Sequence, residues 1–217
     1  MTTRTQPHFA DWAAIADSLI GGIAHALSNR IATLAALGEL MRLDDDAAEG
    51  ATMLRQETGR LETLVHSLRL LGNETGISAE PLELGEILEQ SVALHRYHRD
   101  LRDVEVDIDT SARVMPVRIE RRRATHALLM LLAATAAVAT VRQQVVRAQL
   151  TGDTASVRLT LAVPGDGPEA GAPSDALLDA ARALIEASGG AISSDASSVV
   201  LELPALGALR ERERTAR

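Results

Sequence analysis

The chain contains no cysteine and no lysine. The first absence excludes disulfide frameworks, thiolate-held zinc and cysteine nucleophiles, and it fits a reducing compartment. The second excludes Schiff-base and lysine-base chemistry, because every basic side chain is arginine. Aromatics amount to one Phe, one Trp and one Tyr (Phe9, Trp12, Tyr97), too few for a surface on which nucleic-acid bases stack. Positive charge is short as well. With 22 Lys+Arg against 30 Asp+Glu the net charge is −8, so neither nucleic acid nor an anionic membrane is an expected partner. Met1 to Phe9 has one Arg and no apolar run, so no secretion signal is read there. Ala124 to Val141 carries no formal charge. It is nevertheless diluted by His126, threonines and alanines, and reads as a buried core helix rather than a membrane span. A cytoplasmic location is expected.

A length of 217 residues, 46% of them hydrophobic, suits one large domain or two small ones with a proper core. Asp11 to about Arg42 reads as one long helix, with Ile15, Leu19, Ile20, Ile23, Leu27, Ile31, Leu34 and Met41 at the 3–4 spacing of an amphipathic face. Asp44, Asp45, Asp46 and Gly50 mark a break. A second helix follows from about Ala51 to Leu71, striped by Leu54, Leu61, Leu64, Val65, Leu68 and Leu71 and closed by Gly72-Asn73. Such a hairpin has one apolar face that would stay wet alone, so a dimeric four-helix bundle is expected.

A linker spans Asn73 to Pro81, and the periodicity then changes. Leu84 to about Asp100 is helical, Val104 to Asp109 alternates as a strand, and Glu120 to Thr140 is the buried helix. Gln144 to Leu150 and Val157 to Val163 read as strands turning at Thr151-Gly152-Asp153. Ser174 to Ala187 is a helix ended by Gly189-Gly190, Ala191 to Ser194 and Ser198 to Leu203 close as a hairpin, and Arg210 to Arg217 is a charged, frayed tail. The expected class is α+β: a helical hairpin over 10–73, a mixed sheet with helices on one face over 80–206, and a tail over 207–217.

His25 stands out. On a helical wheel it lies opposite Ile23, Leu27, Leu34 and Met41, and so points into solvent. Its own face carries Ser18, Gly21, Gly22, Ser28 nearby, Asn29 and Ala32. Two glycines inside a helix cost about 1 kcal/mol each relative to alanine. Access for a docking protein is one compensation, which makes Ser18, Gly21, Gly22 and Ser28 candidate partner-binding residues. In its neutral form an exposed imidazole is a nucleophile toward phosphorus. Asn29, one turn on, could orient the ring, and Arg30 is a weaker candidate for holding a phosphoryl group. The residues alone leave a second reading open, an ordinary surface histidine on a helix that tolerates its glycines.

Ile23-Ala24-His25-Ala26-Leu27-Ser28-Asn29-Arg30-Ile31 resembles the H box of bacterial sensor histidine kinases. His25, Leu27, Asn29 and Ile31 match it; Ala26 and Arg30 do not. The order is also similar, with an H-box helix, hairpin partner, linker and α/β domain. Pro81-Leu82-Glu83-Leu84 with Ile87-Leu88 resembles that domain's entry helix. Ala180 to Ile192 resembles its late helix and turn, and Val199 to Pro204 its last strand. The resemblance spans about 10 to 204 and implies a Bergerat-type α/β sandwich in the second half.

The departures are functional. The family's base beside the histidine is replaced by Ala26. Aligning Glu120 and His126 with the family's N box puts Met130 and Ala134 where its metal- and phosphate-binding Asn residues stand. Val163 to Glu169 does not keep the adenine-reading Asp-x-Gly-x-Gly spacing, so Asp166-Gly167 reads as an ordinary turn or a remnant. Pro173 to Leu178 holds no glycine where the second phosphate loop should be. Magnesium needs oxygen ligands, and triphosphate needs glycine-bared N–H groups.

The resemblance is thus closest to the kinase-derived histidine phosphotransferases, the ChpT type of alphaproteobacteria and the sporulation phosphotransferase of bacilli. It implies a homodimer that passes a phosphoryl group between receiver-domain aspartates through His25; Asn29 and Arg30, from their placement on the first helix, are the residues expected to assist. No cofactor of its own is expected, since the receiver supplies magnesium. A hybrid histidine kinase is a further implied partner. A non-catalytic pseudo-histidine-kinase that regulates by binding is the alternative, and a residual ATP-dependent kinase comes third. His95 and His98 read as a solvated helix end, as does His66 on helix two, and Arg118, Arg121, Arg122 and Arg123 as a solvated basic turn. No catalytic Ser-His-Asp order or P-loop is visible.

Overall fold

The computed structural model describes residues 8–43, 47–72, 78–110, 112–165 and 172–215. The linker residues 73–77, the acidic break at 44–46 and the Asp166-Gly167 turn lie outside them. Helix α1 runs His8–Leu43 and α2 Ala47–Leu71. They are antiparallel, since Met41 lies against Gly50 and Arg30 against Glu57.

The second half begins with strand β1 (Glu80–Leu82), helix α3 (Leu84–His95), and strands β2 (Val106–Asp109) and β3 (Val117–Ile119). Helix α4 (Arg121–Arg142) leads into the hairpin β4 (Val146–Gly152) and β5 (Ser156–Ala162). Helix α5 (Asp175–Glu186), strands β6 (Ala191–Ser194) and β7 (Ser198–Pro204), and helix α6 (Leu206–Thr215) complete it. The main sheet has the order β2-β4-β5-β7-β6. β2 pairs with β4 in parallel and the other neighbours are antiparallel. β1 and β3 form a separate antiparallel pair.

Strict alternation assigns the sheet its two faces. Val146, Ala148, Leu150, Val157, Leu159, Leu161, Val199, Leu201 and Leu203 are all buried. Alternate positions carry Arg147, Gln149 and the cross-strand pair Arg158–Glu202 at 2.9 Å. One face is therefore dry and covered by helices, as the mixed-sheet reading required. Helix α4 is the one described helix apolar and long enough to cross a membrane. It is buried among α3, α5 and the sheet, which accounts for its composition.

Four expectations are corrected. The tail is helical over α6 rather than frayed. Helix α3 stops at His95, and residues 96–103 turn back toward α1. The β4–β5 turn falls after Asp153, whose Oδ1 accepts from Ala155 N at 2.7 Å and Ser156 N at 2.8 Å. The apolar face of the hairpin is not wholly wet: Ile15, Leu19 and Ile23 are buried, and α4 and α5 of the same chain pack on α1. Farther along, Ile31 and Leu40 on α1 stay 60% exposed. The short strands β1 and β3 escape sequence reading because three residues are too few to show a period.

Candidate functional site

His25 is exposed on α1, on the face away from buried Ile23. Asn29 lies one turn on, and its Nδ2 is 3.3 Å from His25 Nε2. Residues four apart share a helix face. An amide N–H only donates, so in this pair Nε2 accepts and Nδ1 carries the ring proton. The bond orients the ring, and its exposure makes it cheap to break, at about 1 kcal/mol. Nε2 is then free to attack.

Arg30 is not at this site. Its Nη1 reaches Glu57 Oε1 at 3.2 Å and Oε2 at 3.0 Å on α2, and Arg60 also pairs with Glu57. Burial pulls the Glu57 carboxyl upward, but hydrogen bonds from Arg60 and Arg30 outweigh it and hold the group below the usual carboxylate range. Five residues of helical rotation carry Arg30 to the α2 side. It holds the hairpin together rather than serving His25. The Ser28 hydroxyl is exposed and donates to Ala24 O at 3.0 Å on its own helix.

Ser18, Gly21 and Gly22 meet the turn that follows α3. Ser18 Oγ accepts from Arg99 N at 3.0 Å and lies 3.4 Å from His98 Nδ1. A Cβ on Gly22 would stand 1.9 Å from the Tyr97 carbonyl oxygen, and one on Gly21 2.9 Å from Arg99 Nη2. The cost of the two glycines is therefore offset within the chain, by close approach of this turn, and not only by access for a partner. Between turn and helix lies a cleft of about 370 Å³, lined by Gly21, Gly22, His25, Ala26, Asn29, Arg96, Tyr97, Arg99 and Arg102. Arg96, Arg99 and Arg102 went unread in the sequence, although their spacing of three was visible there.

His95 and His98 are buried at 1% and 8% exposure, not solvated. The available signal was the stripe Leu84, Leu88, Ser91, Val92, which reaches His95 at the next turn. Burial pushes His95 from 6.5 down to about 4, helped by nearby His98 and opposed by a bond to the Leu101 backbone. His126 falls likewise to about 4, chiefly through burial. Its ring stacks on Trp12 with centroids 3.8 Å apart, and its Nε2 lies 3.2 Å from Leu70 O. Arg122, read as solvated, is buried and donates to Gly72 O at 3.1 Å. Of its neighbours, Arg121 pairs with Glu80 and Arg123 with Glu120. The Trp12, Leu70 and Gly72 contacts fasten the open end of the hairpin, where α1 begins and α2 ends, to α4. His66 is exposed, as read.

The other marked positions lie in the second half. Met130 and Ala134 on α4 are buried in the apolar core. Pro173 is buried, and α5 begins at Asp175 with no glycine before it from 172 onward.

No family model and no curated protein matches the chain. Solved structures do. A histidine kinase from Burkholderia phymatum STM815 is 18% identical with a TM-score of 0.45, over 94% of this chain and 98% of that one. The Acinetobacter baumannii histidine kinase AdeS is 17% identical with a TM-score of 0.42, over 83% of this chain and 96% of that one. The ATP-binding domain of PrrB from Mycobacterium tuberculosis is 15% identical with a TM-score of 0.46, over 58% of this chain and 97% of that one. Likenesses this distant carry nothing about function, which rests on the chain's own residues.

Proposed function

We propose that this protein is a phosphorelay histidine phosphotransferase of two-component signalling, carrying a phosphoryl group on His25 between receiver-domain aspartates without phosphorylating itself from ATP. The observation that carries this reading is an exposed imidazole, oriented by Asn29, at the rim of an open cleft. In the step, the Nε2 lone pair attacks the phosphorus of an aspartyl phosphate. An N–P bond forms, the P–O bond breaks, and the receiver carboxylate leaves with the bonding electrons. The Nδ1 proton passes to solvent, leaving a neutral phosphorylated ring. Such transfer needs positioning and charge stabilisation more than covalent machinery. The receiver supplies magnesium, and this chain brings no cofactor. Buried Met130 and Ala134 support the absence of autokinase activity, since neither offers an oxygen to a magnesium-bound triphosphate.

The protein acts in the cytoplasm as a homodimer through the hairpin, with a hybrid histidine kinase as a further partner. Exposed Ile31 and Leu40 on α1 and Met53 on α2 support that dimer. Ala26 beside the histidine favours a second reading, a pseudokinase that binds a receiver or kinase without taking phosphate.

Incubation with a radiolabelled phospho-receiver separates the two. The relay gives an acid-labile, alkali-stable label on the protein, and His25→Ala abolishes it with the fold intact. Receiver binding without any label in the unaltered protein establishes the regulator instead.

A further inference from the structure

The cleft beside His25 is unusual in its charge. Its lining includes Arg96, Arg99 and Arg102 and no carboxylate, in a chain whose net charge is −8. Several arginines elsewhere are matched: Arg30 and Arg60 to Glu57, Arg123 to Glu120, Arg158 to Glu202, Arg182 to Asp179. Among the described residues no carboxylate lies within 4.0 Å of the Arg96 or Arg99 guanidinium, and Arg102 has only its exposed neighbour Asp103 at 3.7 Å. A pair so exposed is worth little. Guanidiniums that line one cleft repel one another, and an anion seated among them relieves that repulsion.

The turn that carries them is fixed before any anion arrives. Arg99 N donates to Ser18 Oγ, and the Tyr97 carbonyl presses on Gly22. Arg99 Nη2 lies 2.9 Å from where a Cβ on Gly21 would stand. Gly21 is one helical turn before His25 on the same face. The glycine thus leaves a place for the guanidinium against the helix, one turn from the imidazole. The planar fork of arginine matches phosphoryl oxygens two at a time, and charge-assisted bonds of this kind are the strong ones.

We infer that Arg96, Arg99 and Arg102 form an anion seat for the phosphoryl group that His25 carries. The inference rests on the carrier reading and adds which groups touch the transferring oxygens. As the N–P bond forms and the P–O bond breaks, the three peripheral oxygens stay on the guanidiniums and their negative charge is neutralised throughout. The second half of the chain thereby has a chemical part in the transfer, which α1 alone would lack.

A small donor tests this without a receiver surface. Potassium phosphoramidate, itself an N–P compound, is mixed with the full-length protein, and phosphohistidine at His25 is followed by phosphorus NMR. Arg96→Gln and Arg99→Gln are each expected to slow labelling about tenfold, the scale of one charge-assisted bond, with Arg99→Lys recovering part of the loss. Gly21→Ala places a methyl 2.9 Å from the present position of Arg99 Nη2, which must shift, and should slow labelling with every charge retained. Arg147→Gln, on the far face of the sheet, should leave the rate unchanged. Rates within twofold of the parent in Arg96→Gln, Arg99→Gln and Gly21→Ala overturn the seat. So does a loss confined to receiver donors, which would make the arginines a docking surface for an acidic protein.

If the parent takes no label from phosphoramidate or any phospho-receiver, the carrier reading fails, and inorganic phosphate then tests the seat separately. Phosphate-dependent shifts of the Gly21 and Gly22 amide resonances, lost in the Arg96→Gln/Arg99→Gln double variant, uphold an anion site. Their absence in the parent overturns it.

Discussion

Acidification from pH 7 to pH 4.5 is expected to remove most of the protein's stability, through its buried histidines. His95 and His126 are buried and neutral, each held from 6.5 down to about 4. His98 is lowered in the same direction by burial, against a partial pull upward from Asp100. In the unfolded chain these imidazoles take up protons near pH 6.5, whereas in the folded one His95 and His126 resist until about pH 4. A depressed histidine therefore contributes stability that is full above 6.5 and lost progressively as pH falls toward 4. At 1.36 kcal/mol per pK unit, each of the two is worth about 3 kcal/mol. Both together rival the 5–15 kcal/mol total of an ordinary domain.

Trp12 is the chain's one tryptophan and stacks on His126, so its fluorescence reports the transition. The urea midpoint should drop steeply between pH 6.5 and 4.5. His126→Phe, which keeps a ring against Trp12, should flatten that slope by about half. A midpoint that stays constant over this range contradicts the burial of these rings. Asp153 and Asp195 are held below their usual range by hydrogen bonds from the backbone of Ser156 and Ser197. Their contribution fades only at lower pH, which separates the two effects.

Gly22→Ala is expected to prise the α/β half away from α1. The new methyl would fall 1.9 Å from the Tyr97 carbonyl oxygen and 2.9 Å from its carbon. Both partners are backbone, and the turn is tied to Ser18 through Arg99 N, so no side chain can simply swing aside. Overpacking of this kind costs about 1–3 kcal/mol or more. The gain of about 1 kcal/mol in helix propensity offsets only part of it. The expected result is a melting temperature lower by several degrees, with loss of the Ser18–Arg99 bond visible as faster exchange of the Arg99 amide. Gly38→Ala is the counterpart, since nothing lies within 4 Å of its Cβ position. It should raise helix stability slightly. Equal melting temperatures for the parent and Gly22→Ala would mean that the close approach of Tyr97 is absent in solution.

These outcomes bear on how much could be read from the residues in order. Helices α1, α2 and α5 and strands β4, β5 and β7 are legible within a few residues because each repeats a long enough period of apolar side chains, and α4 because its uncharged run is long. The exposure of His25 followed from the same periodicity, as did Asn29 beside it. The ion pair of Arg30 is not legible in the sequence because its partner, Glu57, lies 27 positions away on another helix. His95 and His98 are polar and stand at a helix end, which suggests exposure, but the stripe of α3 carries His95 into the core.

The sequence by itself therefore determined the hairpin, the one-sided sheet and the imidazole that faces away from the apolar stripe. Each depends on the order of residues within one element, where local geometry sets which way a side chain points. Only the tertiary structure decided what Gly21 and Gly22 are for, which histidines lose contact with water, and that three arginines stand across from His25. Those facts join residues such as Ser18 and Arg99, 81 positions apart. Packing of one element on another, not any local preference, brings such pairs together.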